Sequence, residues 1–197
     1  MNYRRIGRWA AAGLGVAVAG AGVYWLREKT IEKPQYQLLT SDGAFEVRRY
    51  QSILTAETVQ RGSRDRALGN GFGVLADYIF AESREGDEIA MTAPVISEQE
   101  ADGAWRVRFV MPKSHTRATL PEPTPGVAID ELESAKIAVC KFGGRVDDAL
   151  LAEKTAALRE WIAAQGLSAA GPVRYAFYNS PFIPGPLRQN EVWMPVS

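Results

Sequence analysis

Apolar and polar residues alternate with a two-residue period in several short segments of this chain. Phe45 and Val47 share one face of residues 45–50. Because side chains of a β-strand point alternately to opposite faces, this period predicts a half-buried strand. Further strands are predicted at residues 89–95, 106–112, 136–142, 173–178 and 191–195. Pro94 favours an edge position or a bulge for the first of these, because proline cannot donate a ladder hydrogen bond.

Two longer segments carry the period of an α-helix. Residues 66–81 present one apolar stripe, formed by Leu68, Phe72, Leu75 and Ile79. Asp147 and Asp148 open the second helix, where the helix dipole favours negative charge. Its stripe consists of Leu151, Leu158, Trp161 and Ile162, and Gly166 is a candidate C-terminal cap.

The order of these elements repeats along the chain as strand, helix, strand, strand. The two halves end on similar residues, 109–112 (FVMP) and 192–195 (VWMP). Each β-α-β-β unit is too small to bury its own sheet face, so the two units are expected to pair about a pseudo-twofold axis. The prediction is an α+β fold, a distorted antiparallel β-barrel with two helices outside.

A different pattern precedes this domain. Residues 1–8 are basic, and residues 9–26 contain no charged side chain. As a helix, residues 9–26 would extend about 27 Å at about 1.5 Å per residue, enough for a bilayer core. We therefore predict a transmembrane anchor at 9–26, a linker at 27–35 and a folded domain at 36–197. A cleaved signal peptide and a buried soluble helix are the two alternatives.

Basic residues flank the predicted anchor almost equally on both sides. They are Arg4, Arg5 and Arg8 before it and Arg27, Lys29 and Lys33 after it. The positive-inside rule therefore gives almost no preference for either orientation of the anchor in the membrane. The expected topology is single-pass, with the domain on the non-cytoplasmic side, or secreted or periplasmic if the N-terminus is cleaved.

Composition excludes several classes of protein. Lys and Arg together number 23, as do Asp and Glu, so no strongly basic surface is expected and nucleic acid is not an expected partner. The single cysteine, Cys140, and the single histidine, His115, cannot form a zinc site of His and Cys ligands. Cys140 alternates with Ala138 and Phe142, which predicts a buried, inert thiol.

No motif predicts catalysis. The glycines in residues 69–73 (GNGFG) lack the Lys-Ser/Thr of a phosphate loop, so they are interpreted as weakening the first helix. With one histidine and no second base, the chain is not expected to be an enzyme. A small-molecule hydrolase on the same barrel is the alternative, with Glu46, Glu57 and Glu88 as unpaired candidate acids.

Several longer motifs resemble those of SOUL haem-binding proteins. They are residues 89–95 (IAMTAPV), 109–112 (FVMP), 142–144 (FGG), 178–188 (YNSPFIPGPLR) and 190–195 (NEVWMP). The resemblance covers roughly residues 36–197. It implies the distorted barrel and non-covalent binding of haem or another porphyrin, and the expected function is a membrane-tethered binding, buffering or carrier protein.

The resemblance also implies a site on the first helix. Its apolar haem-contacting positions correspond to Phe72 and Ala76, with Leu68 on the same stripe. The basic residue of the family falls at Gly69, so Arg66, one turn earlier, is the candidate replacement. His115 lies in a polar stretch and is expected to be exposed, and its role as an axial haem ligand is the less favoured alternative.

Overall fold

The computed structural model describes residues 31–180 and 183–197, in which nine strands and two α-helices form. The strands are β1 (Tyr36–Asp42), β2 (Phe45–Tyr50), β3 (Ile53–Gln60), β4 (Val95–Gln99), β5 (Trp105–Val110), β6 (Ala128–Leu132), β7 (Ala135–Gly143), β8 (Arg174–Phe177) and β9 (Gln189–Val196). Helix α1 is Arg64–Ile79 and helix α2 is Asp148–Ala164, and Gly185–Leu187 form a short 3-10 turn.

All nine strands belong to one antiparallel sheet in the order β1-β2-β7-β9-β8-β4-β5-β3-β6. Apart from β1, which has no counterpart, the order is symmetric about the pair β8 and β4. One unit, β3-α1-β4-β5, therefore occupies the mirrored positions of the other, β7-α2-β8-β9. The sheet curls into a half-barrel, and the predicted α+β class with two helices is confirmed.

Both helices lie close to their predicted positions. Asp147 accepts a hydrogen bond from the Leu150 backbone N–H at 2.8 Å and so caps the start of α2. Gly166 follows the end of α2 with φ of +70°, a conformation that favours glycine. The N-terminal and C-terminal signals of this helix were thus readable from the sequence.

The strand predictions were less complete. Strands β1, β3 and β6 were not predicted, and the first repeat begins with β3 rather than with residues 45–50. Both faces of β3 are buried over most of its length, so its sequence shows no alternation. The prediction of a strand at residues 89–95 was wrong: β4 begins only at Val95, after Pro94, which has no N–H to donate.

The helices cover one face of the sheet. Helix α1 packs against β3 and β5, and α2 packs against β7 and β9. Leu75, Tyr78 and Ile79 of α1 are buried against Val107 and Phe109. The equivalent cluster beneath α2 consists of Val47, Ala138, Cys140, Leu158, Trp161, Ile162, Val192, Met194 and Val196. Each repeat therefore has its own apolar core, separated by the central strands.

Gly71 permits α1 to approach the sheet closely. A Cβ atom at this position would lie 2.7 Å from Cγ2 of Val107 and 3.3 Å from Cγ2 of Thr58. By contrast, a Cβ atom at Gly69 or Gly73 would meet nothing within 4 Å. Gly71 is thus required by packing, whereas the other two glycines only soften the helix.

The opposite, concave face of the sheet buries charge. Arg48 donates two hydrogen bonds of 3.0 Å to the Glu191 carboxylate and one of 2.6 Å to Glu46. The Tyr178 hydroxyl and the Trp193 indole N–H also donate to Glu191, at 2.7 and 2.6 Å. Because every one of these groups is buried and bonded, this cluster is part of the core.

Electrostatics within this cluster shift several pKa values. Burial alone would lower the pKa of Arg48, but hydrogen bonds and the charge of Glu191 raise it above its ordinary value. Burial would raise the pKa of Glu46, yet hydrogen bonds from Lys141 and Arg48 hold it below the usual 4.5. Burial also raises the pKa of the Tyr50 and Tyr178 hydroxyls. Glu46 therefore stays ionised, and Tyr50 and Tyr178 stay protonated, near neutral pH.

A second ionic cluster lies in the other half of the concave face. Arg108 donates to Glu57 at 2.8 Å and to Glu98 at 3.3 Å, and Arg174 donates to Glu98 at 2.7 Å. Glu57, named from the sequence as a candidate acid, is consequently neutralised by arginine, as Glu46 is. Both carboxylates hold the sheet together, so neither is placed as a catalytic acid.

The compact folded unit begins at Glu32, so residues 32–35 of the predicted linker contact it. Glu32 forms a parallel bridge with Thr92, and its carboxylate accepts the Lys113 backbone N–H at 2.8 Å. Residues 31–180 and 183–197 include no helix that is long and apolar enough to cross a membrane. The predicted basic segment 1–8 and anchor 9–26 lie outside the described residues.

Candidate functional site

One flank of α1 collects the apolar residues that the sequence singled out. With about 100° between successive residues, Leu68, Phe72 and Ala76 follow one another beside the stripe that faces the sheet. Phe72 remains 39% exposed, although it is a large apolar side chain. Leu68 and Ala76 are half-buried. The structure therefore brings these three predicted residues together on an accessible surface.

The sheet continues this surface away from the helix. The Phe72 ring meets Phe109 edge to face, with ring centroids 5.1 Å apart and an interplanar angle of 65°. Phe109 pairs with Val95 on β4, and Val95 pairs with Phe177 on β8. We call this surface the interhelical groove, with Phe72 and Ala76 as its wall and Val95, Phe109 and Phe177 as its floor.

The groove is open because neither helix packs over its central strands. The two helices contact β3, β5, β7 and β9, which leaves β4 and β8 between them. Val95 and Phe177 are accordingly half-buried, whereas Phe109, under α1, is 3% exposed. Large apolar side chains left partly open between two helices are candidate contacts for an apolar ligand.

The helix surface next to Phe72 is apolar and has few protruding side chains. Gly69 and Gly73 carry no side chain and face open space. Phe80, directly after the end of α1, is 40% exposed. A helix surface with few protruding side chains suits a flat ring system better than a branched one.

Few cations are available near this flank. Arg66 is exposed and makes no ion pair within residues 31–180 and 183–197. Arg64 is instead buried between Asp148 at 2.5 Å and Asp65 at 2.8 Å, and so joins the N-terminal ends of the two helices. Arg66 is thus the arginine of α1 that remains free for an anionic ligand group, although it points further outward than Phe72.

His115 does not line the groove. It is half-buried in the wall of a separate cleft, and its Nδ1 has neither solvent contact nor a hydrogen-bond partner among the described residues. The expectation of a fully exposed loop histidine therefore needs correction, because the cleft partly encloses its ring. The structure does not bring His115 together with Leu68, Phe72 and Ala76.

Other side chains with ligand chemistry are unsuited to bind a metal. Within the described part of the chain, no group of three His, Cys, Asp or Glu side chains could hold a metal ion. Cys140 is 2% exposed, and burial raises the pKa of its thiol. The prediction that the thiol is buried is confirmed, and its raised pKa agrees with low reactivity.

Sequence reasoning missed the floor of the groove. Val95 and Phe177 were assigned to strands but not to a site, since they lie far from α1 along the chain. A usable signal was the repeat itself, because a twofold axis places equivalent strands of the two units side by side. That adjacency would have pointed to β4 and β8 as the surface between the helices.

Comparison with known proteins agrees with this architecture. The family model for the SOUL heme-binding protein matches residues 31–195. No curated protein sequence matches this chain significantly. A crystal structure of a hydrolase from Listeria innocua is similar in fold, with a TM-score of 0.58, 12% identity, and coverage of 80% of this chain and 94% of that one.

Two structures of EcmrR are similar at the same level. Its C-terminal domain has a TM-score of 0.59 and 9% identity, covering 82% of this chain and 98% of that one. The cryo-EM structure of an EcmrR–DNA complex has a TM-score of 0.60 and 9% identity, and the match covers 98% of this chain and 69% of that one. At such identities the likeness shows the fold alone, so the absence of a nucleic-acid partner stays a prediction.

Proposed function

This chain belongs to the SOUL haem-binding protein family, and on that premise we propose that it binds haem or a related tetrapyrrole in the interhelical groove. Binding is non-covalent and rests on apolar contact rather than on a strong axial bond. The protein acts as a binding, buffering or carrier protein, not as an enzyme. The observation that carries this proposal is the exposed ring of Phe72, packed on Phe109 beside the open strands β4 and β8.

The energetics of apolar burial favour such a ligand. Burial of apolar surface contributes about 25 cal/mol per Å² removed from water. A flat tetrapyrrole can bury one large face against Phe72, Ala76 and the floor residues Val95 and Phe177. Its propionates would then lie near the polar rim, where Arg66 is available. Charge at such an exposed rim is screened by salt, so it contributes less than the apolar face.

Replacing Phe72 with aspartate is expected to weaken hemin binding to the full chain by about tenfold or more, which corresponds to about 1.4 kcal/mol. The substitution removes the ring and places a charge against an apolar ligand face. Absorption titrations of the Soret band measure the affinity. Leu187→Asp is a matched control, because Leu187 is 62% exposed and lies outside the groove. Equal losses in both variants would argue against the groove.

Two further variants separate the roles of the rim and of His115. Arg66→Glu should weaken hemin binding less than Phe72→Asp does, and His115→Ala should leave both affinity and Soret position nearly unchanged. A shifted Soret band with an affinity loss of about tenfold in His115→Ala would make His115 the axial ligand and refute the groove. Absence of saturable hemin binding by the wild type at micromolar concentration would refute the function itself.

We also propose that residues 9–26 tether the domain to a membrane, with the domain on the non-cytoplasmic side. The full chain is then expected to remain with membranes after alkaline extraction, because an apolar span resists release by high pH. Mass spectrometry of the mature protein provides the check on processing. A mature N-terminus near Gly20 would replace the anchor by a cleaved signal peptide, and the domain would be secreted or periplasmic.

The alternative function is a small-molecule hydrolase on the same fold. The hydrolase from Listeria innocua shares only the fold with this chain, at 12% identity. Turnover of small ester substrates, absent in a matched blank and saturable in substrate, would favour the alternative over a binding protein.

A further inference from the structure

A second concavity lies apart from the interhelical groove. It is a cleft of about 530 Å³ at the ends of β3 and β5, bounded by residues 32–35, 51–54, 110–113 and 115–117 and by Thr92 and Glu131. None of the groove residues lines it. Its volume falls within the range of about 300–1,000 Å³ that small-molecule sites usually occupy.

Cations in this cleft lack the partners that the buried arginines of the described chain have. Arg48, Arg64 and Arg108 each lie within 3.0 Å of a carboxylate oxygen. Lys113 and Arg117, in the cleft wall, make no ion pair with any described carboxylate, and Arg117 donates only to the Ile129 carbonyl at 2.8 Å. Positive charges that converge in a concave surface concentrate their field on an anion that enters it.

The acidic groups of the cleft offset only part of its positive charge. The Glu32 carboxylate accepts the Lys113 backbone N–H at 2.8 Å and keeps its negative charge, because this donor is neutral. Glu131 is exposed at the edge strand β6. A third cation, Lys33, lies with its Nζ 5.0 Å from the centre of the Tyr178 ring. Three cations, Lys33, Lys113 and Arg117, and two carboxylates, Glu32 and Glu131, therefore line the cleft, which leaves an excess of one positive charge.

An unexplained polar atom lies in the same wall. His115 Nδ1 is removed from solvent and has no hydrogen-bond partner in the described structure. Buried polar atoms are nearly always bonded, so an imidazole left unpaired beside a cleft indicates a missing partner. Since Nδ1 has no solvent contact, it faces away from the open cleft, and the ring would have to rotate before this nitrogen could donate to an anion bound there.

The remaining wall of the cleft is apolar. Ile53, Leu54, Val110, Met111 and Pro34 contribute to it. Ile53, Val110 and Met111 are almost wholly buried, so Pro34 and Leu54, which are half-buried, offer the apolar surface that a short hydrocarbon body could cover. The lining therefore combines a cationic rim with an apolar interior.

From these observations we propose that the cleft binds a small amphipathic organic anion. Its carboxylate or phosphate head lies between Lys113, His115 and Arg117, and its apolar body contacts Pro34 and Leu54. This site is independent of tetrapyrrole binding in the groove, and its failure would leave that function untouched.

His115 provides a direct reporter because it is the only histidine of the chain. The full chain, in one nonionic detergent throughout, is titrated with octanoate, octyl phosphate, octylammonium and inorganic phosphate, while imidazole carbon–proton NMR signals are recorded. Octanoate or octyl phosphate is expected to shift the His115 signal saturably below millimolar concentration. Whichever of the two binds more tightly identifies the head group. Octylammonium and inorganic phosphate are expected to bind at least about tenfold more weakly.

Variants test whether the named cations are responsible. The double variant Lys113→Gln, Arg117→Gln should weaken binding of the anion by about tenfold or more. Arg159→Gln is the matched control, since Arg159 is exposed on α2 and lines neither site. Far-ultraviolet circular dichroism verifies that each variant is folded, and prior saturation with hemin should leave octanoate binding unchanged.

Clear outcomes would overturn the proposal. A His115 signal that does not move at millimolar octanoate or octyl phosphate excludes the site. Equal affinity for octylammonium shows that apolar contact alone drives binding, and equal affinity for inorganic phosphate shows that no apolar body is recognised. An equal loss in Arg159→Gln would show general electrostatic attraction instead of a site.

Discussion

Arg48→Met is expected to lower the free energy of unfolding by about 3–5 kcal/mol, the usual cost of removing one partner from a buried ion pair. Arg48 is 3% exposed and holds the carboxylates of Glu46 and Glu191, which are themselves buried. Methionine fills the space but leaves two carboxylates facing one another without their guanidinium. Lys141 still pairs with Glu46, so the greater cost falls on Glu191.

Chemical denaturation at neutral pH measures this effect, with Arg49→Met as the control. Arg49 is the next residue of β2, but it is exposed on the opposite face of the strand, so its loss should change stability by no more than about 0.5 kcal/mol. Comparable costs for both variants would show that strand β2 itself, and not the buried cluster, is sensitive. A loss below about 1 kcal/mol in Arg48→Met would show that the cluster contributes little.

The pH dependence gives the same prediction a second check. In the wild type the pKa of Glu46 is lowered, so its stabilising contribution is present above about pH 4.5 and is lost as pH falls through the folded-state pKa. In Arg48→Met the Glu46 carboxylate loses a favourable charge, so it protonates more readily and its share of the penalty is relieved in acid. The stability difference between wild type and variant should therefore shrink as pH falls from neutrality.

Gly71→Ala is expected to destabilise the protein by about 1–3 kcal/mol, as overpacking of a tight core generally does. The new Cβ atom would lie 2.7 Å from Cγ2 of Val107, a side chain with no exposed surface. Helix α1 would have to move away from the sheet. Phe72 and Phe109 pack against each other in the same interface between α1 and β5. A shift of the helix should therefore lower hemin affinity as well.

Gly73→Ala is the matched control and is expected to change stability in the opposite direction. Its Cβ atom would meet nothing within 4 Å, so the variant gains only the helix propensity of alanine, about 1 kcal/mol. Denaturant midpoints at constant slope measure both effects. If Gly71→Ala proved as stabilising as Gly73→Ala, the helix would not be held against Val107 as closely as the structure shows.

The groove and the cleft assign different chemistry to two surfaces of one domain. The groove offers aromatic and aliphatic surface with Arg66 at its rim, and the cleft offers Lys113 and Arg117, which form no ion pair with a described carboxylate, beside the half-buried Pro34 and Leu54. Neither surface uses the ionic clusters of the concave face, which are fully bonded within the protein. Binding at either surface therefore does not require breaking the core.

The local sequence by itself determined the positions of the helices, the class of fold and the family. Helical periodicity located α1 and α2 to within two residues at most of their ends, because apolar spacing of three and four is read from neighbouring positions. Repeated strand-helix-strand-strand order and the motifs of residues 178–195 determined the class of fold and the family. Leu68 and Phe72 belong to the predicted helical stripe, whereas Phe72 and Ala76 were assigned as ligand contacts through the family resemblance. Their role as ligand contacts stays a prediction.

Only the tertiary structure revealed those features that depend on contacts between residues distant along the chain. Strand β3 was hidden because burial on both faces removes the alternation that identifies a strand. The ion pair of Arg48 and Glu191 joins residues 143 positions apart, and no local pattern encodes such a partner. Gly71 resembles its neighbours Gly69 and Gly73 in the sequence, and only contact with Val107 distinguishes it. The spacing of residues along a helix or strand specifies which of its faces is apolar. Tertiary packing decides which other element covers that face, and which apolar residues stay accessible between two packed helices.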